Sequence, residues 1–397
     1  MNDTARVIIK PRRARPFYAR HPWVLSNSIE RVEGSPEPGA EVIVLSHERK
    51  FIAQGLWNPN STIQARLYRW EEAPLDEAFW LDRVDSALRL RSTLPGNRGD
   101  RSARRLIYSE ADGLSGLTVD QFDQYLVMQF TSLALHQRKD LFIKALTDRL
   151  SPAGIMLRTE RGIAKREGLE IDDGVVHGTI PDEPIAIVEH ALEFRVDLRT
   201  GQKTGFYLDQ RENRLAASTY AFERNVLDVF CYTGGFGVAA LKLGGAASCL
   251  GIDGSTTAID LARVNAERNG VAQASFEHAD AFDALERFRI DGRKFNMIIC
   301  DPPKFARSPN GIEEALKGYL RLNRAAVAVL ERDGILVTCS CSGLIDRGLF
   351  VEVIAQVAEQ SGRAIQILEQ RGQAPDHPVS ASCLDTEYLK CLICRVE

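Results

Sequence analysis

From Asn225 onward, short apolar runs alternate with helical patterns, and this alternation limits the possible folds more than any other feature of the chain. NVLDVF (225–230) precedes GFGVAALKLG (235–244), CLGID (249–253) precedes TTAIDLARVNAERNG (256–270), and NMIICD (296–301) and GILVTCS (334–340) follow. Strands that alternate with helices pair in parallel through crossover helices, so an α/β domain with a parallel sheet is expected over 198–397. LKCLICRV (389–396) reads as one more apolar strand.

The chain has 397 residues, more than the roughly 250–300 that one core usually serves, so further domains are expected upstream. EVIVLS (41–46), FIAQGLW (51–57) and TIQARLYRW (62–70) are β-branched and aromatic runs separated by turn residues, which predicts a small β-rich domain over 1–75. LDEAFWLDRVDSALRL (75–90) has helical spacing, YLVMQF (125–130) and LEFRVDL (192–198) read as strands, and a helix is expected near 136–150. These make 76–197 an α+β middle domain.

No run approaches the roughly 18 uncharged apolar residues of a membrane span, and the N-terminus lacks the apolar core of a signal peptide. A cytoplasmic protein with no membrane contact is expected. All eight cysteines lie between Cys231 and Cys394, which reads as reduced thiols rather than a disulfide framework. The net charge of -4 makes no global case for nucleic acid. Locally, Arg6, Lys10, Arg12, Arg13, Arg15 and Arg20 face only Asp3, and Arg98, Arg101, Arg104 and Arg105 form a second basic cluster.

The segment 225–241 runs from an apolar strand into the turn Thr233-Gly234-Gly235-Phe236-Gly237, which opens a helix. In a doubly wound sheet ligands bind at the carboxyl ends of strands, where glycines let a cofactor approach the backbone. Asp253 ends the next strand 19 residues after Gly234, near the spacing at which a carboxylate accepts ribose hydroxyls. Asp280, near the end of a third strand, is placed to accept from an adenine amino group, and Asp228 to orient the glycine loop. The glycines do not form GxGxxG, which disfavours a nicotinamide cofactor. After NMIIC comes Asp301-Pro302-Pro303-Lys304-Phe305, where two prolines would hold a carboxylate and carbonyls rigidly near a methyl donor. These four segments in order resemble the class I methyltransferases, which implies S-adenosylmethionine as cofactor.

Cys339 and Cys341 lie near the end of GILVTCSCSG. Carbon 5 of a pyrimidine is a poor nucleophile until a thiolate adds to carbon 6, a covalent route that splits one hard step into two. Alternation sends both cysteines to one face, but Cys341 is nearer the strand end. Two other readings stay open. Asp-Pro-Pro followed by an aromatic also suits methylation of an exocyclic amine, though Lys304 intervenes before Phe305. A zinc site built from Cys339, Cys341, Cys391 and Cys394 is disfavoured because the last two lie in an apolar strand, so no metal is expected.

RHPWVLSNSI (20–29), SEADGLSGLTVDQF (109–122), GQKTGFYLDQRENR (201–214), FCYTGGFGV (230–238), DPPKF (301–305), SCSG (340–343) and DHPV (376–379) together resemble the bacterial 23S ribosomal RNA cytosine-5 methyltransferase I family over nearly the whole chain. The resemblance implies an N-terminal PUA domain, a middle domain and a catalytic Rossmann-like domain, with 23S rRNA or a large-subunit precursor as partner and a homodimer left open. It implies RNA contact for the basic N-terminus, and a position beside the methionine end of the cofactor for Lys203, Tyr207, Asp209 and Arg211. It favours Cys341 as nucleophile, since Cys339 matches a position that can be Phe. Many RNA cytosine-5 methyltransferases carry a second cysteine after Asp-Pro-Pro, where this chain has Lys304, which stands with Cys341, Asp301 and His377 among the catalytic candidates. The base that removes the carbon-5 proton is therefore open between His377 and Glu387. The expected mechanism holds the cofactor with Asp228, Thr233, Gly234, Gly235, Phe236, Asp253, Asp280 and Asp301, holds the cytosine amino edge at Asp301, and attacks carbon 6 with Cys341. The competing readings are methylation of another base or of an amine, and a non-catalytic RNA-binding protein.

Overall fold

A computed structural model describes residues 4–94, 99, 101–159, 161–170, 173–201, 204–306 and 308–397. The chain forms two compact units: the first holds 1–185, 197–206 and 375–386, and the second 186–196, 207–374 and 387–397. No helix among the described residues is long and apolar enough to cross a membrane.

The first unit contains two sheets. Six strands pair in the order Trp23–Leu25, Ile63–Arg69, Phe51–Trp57, Glu41–Leu45, Arg6–Ile9, Ile29–Glu33, around Val7, Ile9, Val42, Val44, Ile52 and Leu67. Three of these strands match the runs expected from sequence. The three at 6–9, 23–25 and 29–33 are three to five residues long, and the first and last carry charged residues, so their pattern is weak. A second sheet pairs Gly174–Gly178, Gly154–Leu157, Tyr125–Phe130, Leu117–Phe122 and Ala103–Tyr108. Leu56 and Tyr68 of the first sheet share one core with Trp80, Phe142 and Leu126 of the second segment, so the packing has no break at residue 75.

The second unit is built on seven strands: β1 (Asn225–Val229), β2 (Ser248–Asp253), β3 (Ala274–His278), β4 (Phe295–Cys300), β5 (Leu330–Ser340), β6 (Ile365–Arg371) and β7 (Lys390–Val396). Their order is β3-β2-β1-β4-β5-β7-β6. The first five are parallel, and β7 is inserted antiparallel between β5 and β6. The helices are α1 (Arg211–Ser218), α2 (Gly235–Lys242), α3 (Thr256–Arg268), α4 (Ala281–Ile290), α5 (Ile312–Ala328) and α6 (Arg347–Ser361). Side-chain caps start three of them: Ser255 accepts Ala258 N–H, Asp280 accepts Phe282 N–H and Asp283 N–H, and Asp346 accepts Leu349 N–H. Both faces of the central strands are covered, so they read as continuous apolar runs. Leu227, Ile298, Leu336, Tyr319, Phe350 and Leu392 fill this core. The parallel strands aim their carboxyl ends at one edge, and order reverses between β1 and β4, which is where such sheets place their ligands.

Candidate active site

Asp228 is 1% exposed on β1, and its Oδ2 accepts Gly237 N–H at 3.0 Å, tying the strand to the first turn of α2. Burial, with Asp301 and Asp253 nearby, pushes its carboxyl up to about 8. Beyond β1 the backbone is left-handed three times, at Phe230 (φ 62), Tyr232 (φ 49) and Gly234 (φ 80). Only glycine adopts that conformation freely, so the two aromatics store on the order of 1–3 kcal/mol each, a strain that clusters at functional sites. A Cβ on Gly237 would lie 2.7 Å from Cys249 Sγ, so this glycine lets α2 close onto β2.

Asp253, at the end of β2, is half-buried and accepts Tyr232 N–H and Ser255 N–H, both at 2.9 Å. Thr233 and Gly235 are buried, as is Phe236 at 7% exposure. Asp280 is exposed, and the Oδ1 of its carboxylate caps α4. Among the described residues, the buried Asp228 Oδ1 and Thr233 Oγ1 lack a hydrogen-bond partner. Orphaned polar atoms beside a strained glycine turn suit a polar ligand such as the nucleotide-like cofactor the sequence points to.

Asp301 follows β4 directly, and its N–H donates to Val229 O at 3.4 Å. Pro303 and Lys304 are exposed, and Phe305 packs on Tyr319 with ring centroids 4.7 Å apart. Cys341 lies one residue past β5, its Sγ 3.8 Å from Pro302 O. Of the eight free cysteines it is the one not buried, whereas Cys339 sits in the strand opposite Cys391 at 0% exposure. Strand alternation left these two tied, and the strand's end at Ser340 separates them. Burial, and after it the nearby Asp301, push the Tyr207 phenol well above its ordinary value, with Tyr232, Asp209 and Cys341 acting in the same direction. Its ring meets Tyr232 edge-on at 5.3 Å.

Asp209 is buried and accepts Tyr388 O–H at 2.5 Å; Arg211 is buried at the start of α1. Lys203 lies outside the described residues. His377 belongs to the first unit, 2% exposed, bonded to the Asp376 carboxylate at 3.0 Å and against Tyr108. Glu387 pairs with Arg347 at 2.8 Å. The structure thus joins Asp228, Asp253, Asp301, Tyr207 and Cys341 within the second unit, while His377 falls in the other.

Three residues went unsingled in sequence. Asn265 on α3, 0% exposed, donates to Thr233 O at 2.9 Å and accepts Arg195 N–H at 2.8 Å, so it holds the glycine turn. Glu189 takes two hydrogen bonds of 2.7 Å from Arg214, whose guanidinium also donates to Tyr207 O. Lys390, 1% exposed, donates to Ser342 O at 2.5 Å and Tyr388 O at 2.9 Å. Only the asparagines had a sequence signal, being four apart on one helix at 265 and 269.

Of the basic clusters, Lys10, Arg12, Arg13, Arg15 and Arg20 are exposed around the exposed Tyr18. Arg105 instead grips the buried Asp120, Arg104 bonds Gln121, and Arg98 lies outside the described residues.

Residues 7–70 match the PUA-like domain family, and residues 174–390 match the S-adenosylmethionine-dependent methyltransferase family. Ribosomal RNA large subunit methyltransferase I of Erwinia tasmaniensis is 40% identical over 396 residues, covering 99% of this chain and all of that one. The protein of the same name from Aeromonas salmonicida is 41% identical over 386 residues, 96% of this chain and 97% of its own. A SAM-dependent methyltransferase structure from Streptococcus mutans superposes with a TM-score of 0.83 at 19% identity, over 98% of this chain and 99% of that one. A methyltransferase complexed with SAH gives 0.85 at 19% identity and the same coverage.

Proposed function

The chain belongs to the S-adenosylmethionine-dependent methyltransferases, in the ribosomal RNA large subunit methyltransferase I family, and from that premise we propose that it forms 5-methylcytosine in 23S rRNA, in the cytoplasm, through a covalent adduct of Cys341. The observation that carries the covalent step is the position of Cys341, the one incompletely buried thiol, just past β5 and against the carbonyl of Pro302.

S-adenosylmethionine supplies, when bound, an electrophilic methyl group. Asp228, Thr233, Gly234, Gly235, Phe236, Asp253 and Asp280 are assigned to its binding, with Tyr207, Asp209, Arg211 and Lys203 toward its methionine end. Asp301 accepts from the cytosine amino group. The Cys341 thiolate donates its electron pair to carbon 6, and the ring electrons displaced toward carbon 5 make that carbon nucleophilic. After methylation a base removes the carbon-5 proton, and the C–S bond breaks as its electrons return to sulfur. A stacked base must leave the helix to reach such a site, costing a few kcal/mol. The exposed basic segment around Arg12, Arg13, Arg15 and Arg20 in the PUA-like domain offers phosphate contacts that offset this.

The test is nucleoside mass spectrometry of 23S rRNA from a strain lacking the enzyme, after incubation with S-adenosylmethionine. The wild type is expected to form 5-methylcytosine and Cys341→Ala to fall to background while still binding cofactor. RNA carrying 5-fluorocytosine has no carbon-5 proton to lose, so it should trap a denaturant-stable adduct with the wild type alone. Full activity in Cys341→Ala, or a product methylated on an amine, replaces this mechanism with amine methylation at Asp301-Pro302-Pro303.

A further inference from the structure

Lys390 is the first residue of β7, paired in register with Ser340 at the end of β5, one residue before Cys341. A lysine is almost never fully buried without a partner, yet this one is 1% exposed. An ammonium has three donors, and two of them go to Ser342 O and Tyr388 O. The bond to Ser342 O fixes the amine on the peptide that follows Cys341. We propose that Lys390 is the positioning cation of the site, an ammonium buried behind Cys341 that stabilises the nucleophile as a thiolate. This rests on the reading of Cys341 as nucleophile and deepens it.

The charges nearby give the ammonium its purpose. Cys341 shares its surroundings with Asp301 and with the phenols Tyr207 and Tyr319. A carboxylate so close opposes a second negative charge. Facing Lys390 are Cys341, Glu387 and Asp346, which favour its charge, and Arg347, which opposes it; Arg347 is itself paired with Glu387. Of these groups Cys341, once ionised, acts most strongly on Lys390, while burial brings the amine down to about 8. Its burial means that Lys390 does not meet the RNA base, so its influence passes through sulfur. In the sequence it reads only as a polar residue at the head of an apolar strand, and the antiparallel insertion of β7 beside β5 brings it to the cysteine.

The first measurement is the pH dependence of Cys341 alkylation by iodoacetamide on the full chain, followed by peptide mass spectrometry without RNA or cofactor. In Lys390→Met the inflection should rise by one unit or more, which slows alkylation at pH 7 about tenfold. Lys390→Arg, which keeps the charge, should lie nearer the wild type than Lys390→Met does. Coupling between two charges is reciprocal, so the second measurement avoids altering the buried lysine. In ¹³C-lysine-labelled protein the Lys390 signal should titrate at lower pH in Cys341→Ser than in the wild type. In methylation assays Lys390→Met should lose kcat with little change in KM for RNA, and recover as the pH is raised. An unshifted Lys390 titration in Cys341→Ser, or an unshifted alkylation inflection in folded Lys390→Met, overturns the proposal. Both measurements omit RNA, so they stand apart from the product analysis: an amine-methylated product would defeat the covalent mechanism and leave the ion pair measurable.

Discussion

Asp228 shows how a single buried carboxyl can set a pH dependence. Its group sits at about 8 when folded and near 3.9 when the chain is unfolded. Between those values the folded state holds a proton that the unfolded state releases. This contribution to stability is complete below about pH 4 and is lost as the pH rises toward 8. Asn keeps an acceptor for Gly237 N–H and cannot ionise. The melting temperature of Asp228→Asn relative to wild type should therefore rise by several degrees between pH 5 and pH 8, a difference on the order of a few kcal/mol. A constant offset across that range would show that Asp228 titrates as an ordinary carboxylate. The position of Asp228 was legible in sequence because it lies in an apolar strand just before a glycine turn, but its protonation was not. That Cys341 is more accessible than Cys339 was legible from its place nearer the strand end, although alternation alone cannot separate residues two apart. Lys390 was not legible at all, since its partner lies in a strand that is not its neighbour in sequence.

At the scale of elements, α3 is the clasp of the glycine turn after β1. Four residues along a helix rise about 6 Å, and two along a strand span about 6.6 Å. Asn265 and Asn269 therefore match Arg195 and Glu193 of the strand Leu192–Val196: each asparagine accepts one strand N–H, and Asn269 also donates to Glu193 O. The remaining amide of Asn265 holds Thr233 O. Asn265→Leu would strand a buried N–H and a buried carbonyl, at about 1–3 kcal/mol each. We expect a lower melting temperature and, where the variant folds, weaker S-adenosylmethionine binding by calorimetry with the same stoichiometry. Unchanged affinity would mean that the turn keeps its shape without the clasp. The central parallel strands were readable because burial on both faces makes their inner runs apolar, and the crossover helices because apolar residues recur on one face. The strands Arg6–Ile9, Trp23–Leu25 and Ile29–Glu33 were not, being three to five residues long, the first and last with charged members, and stabilised by partners rather than by pattern.

Across the whole molecule, chain order and packing diverge. The division expected at residues 75 and 197 follows shifts in pattern, whereas the first unit also takes in 197–206 and, from far along the chain, 375–386. That last segment is firmly bound within its unit: Arg91 donates to Asp376 O at 2.8 Å, the Asp376 carboxylate accepts Arg105 N–H at 3.1 Å, and Tyr108 O–H donates to Thr386 O at 2.9 Å. A fragment ending at Ile185 would leave these buried groups unpaired. We expect it to melt well below the full chain or to lack a cooperative transition by circular dichroism; a transition matching the full chain would show the segment to be dispensable. The same arrangement bears on synthesis. At roughly 5–20 residues per second, the segment around Asp376 and Thr386 emerges from a ribosome roughly 10–40 s after Ile185. For that interval the N-terminal half is a nascent chain with an unfilled place in its own core, and the help it needs then is that of a holding chaperone rather than of a faster fold.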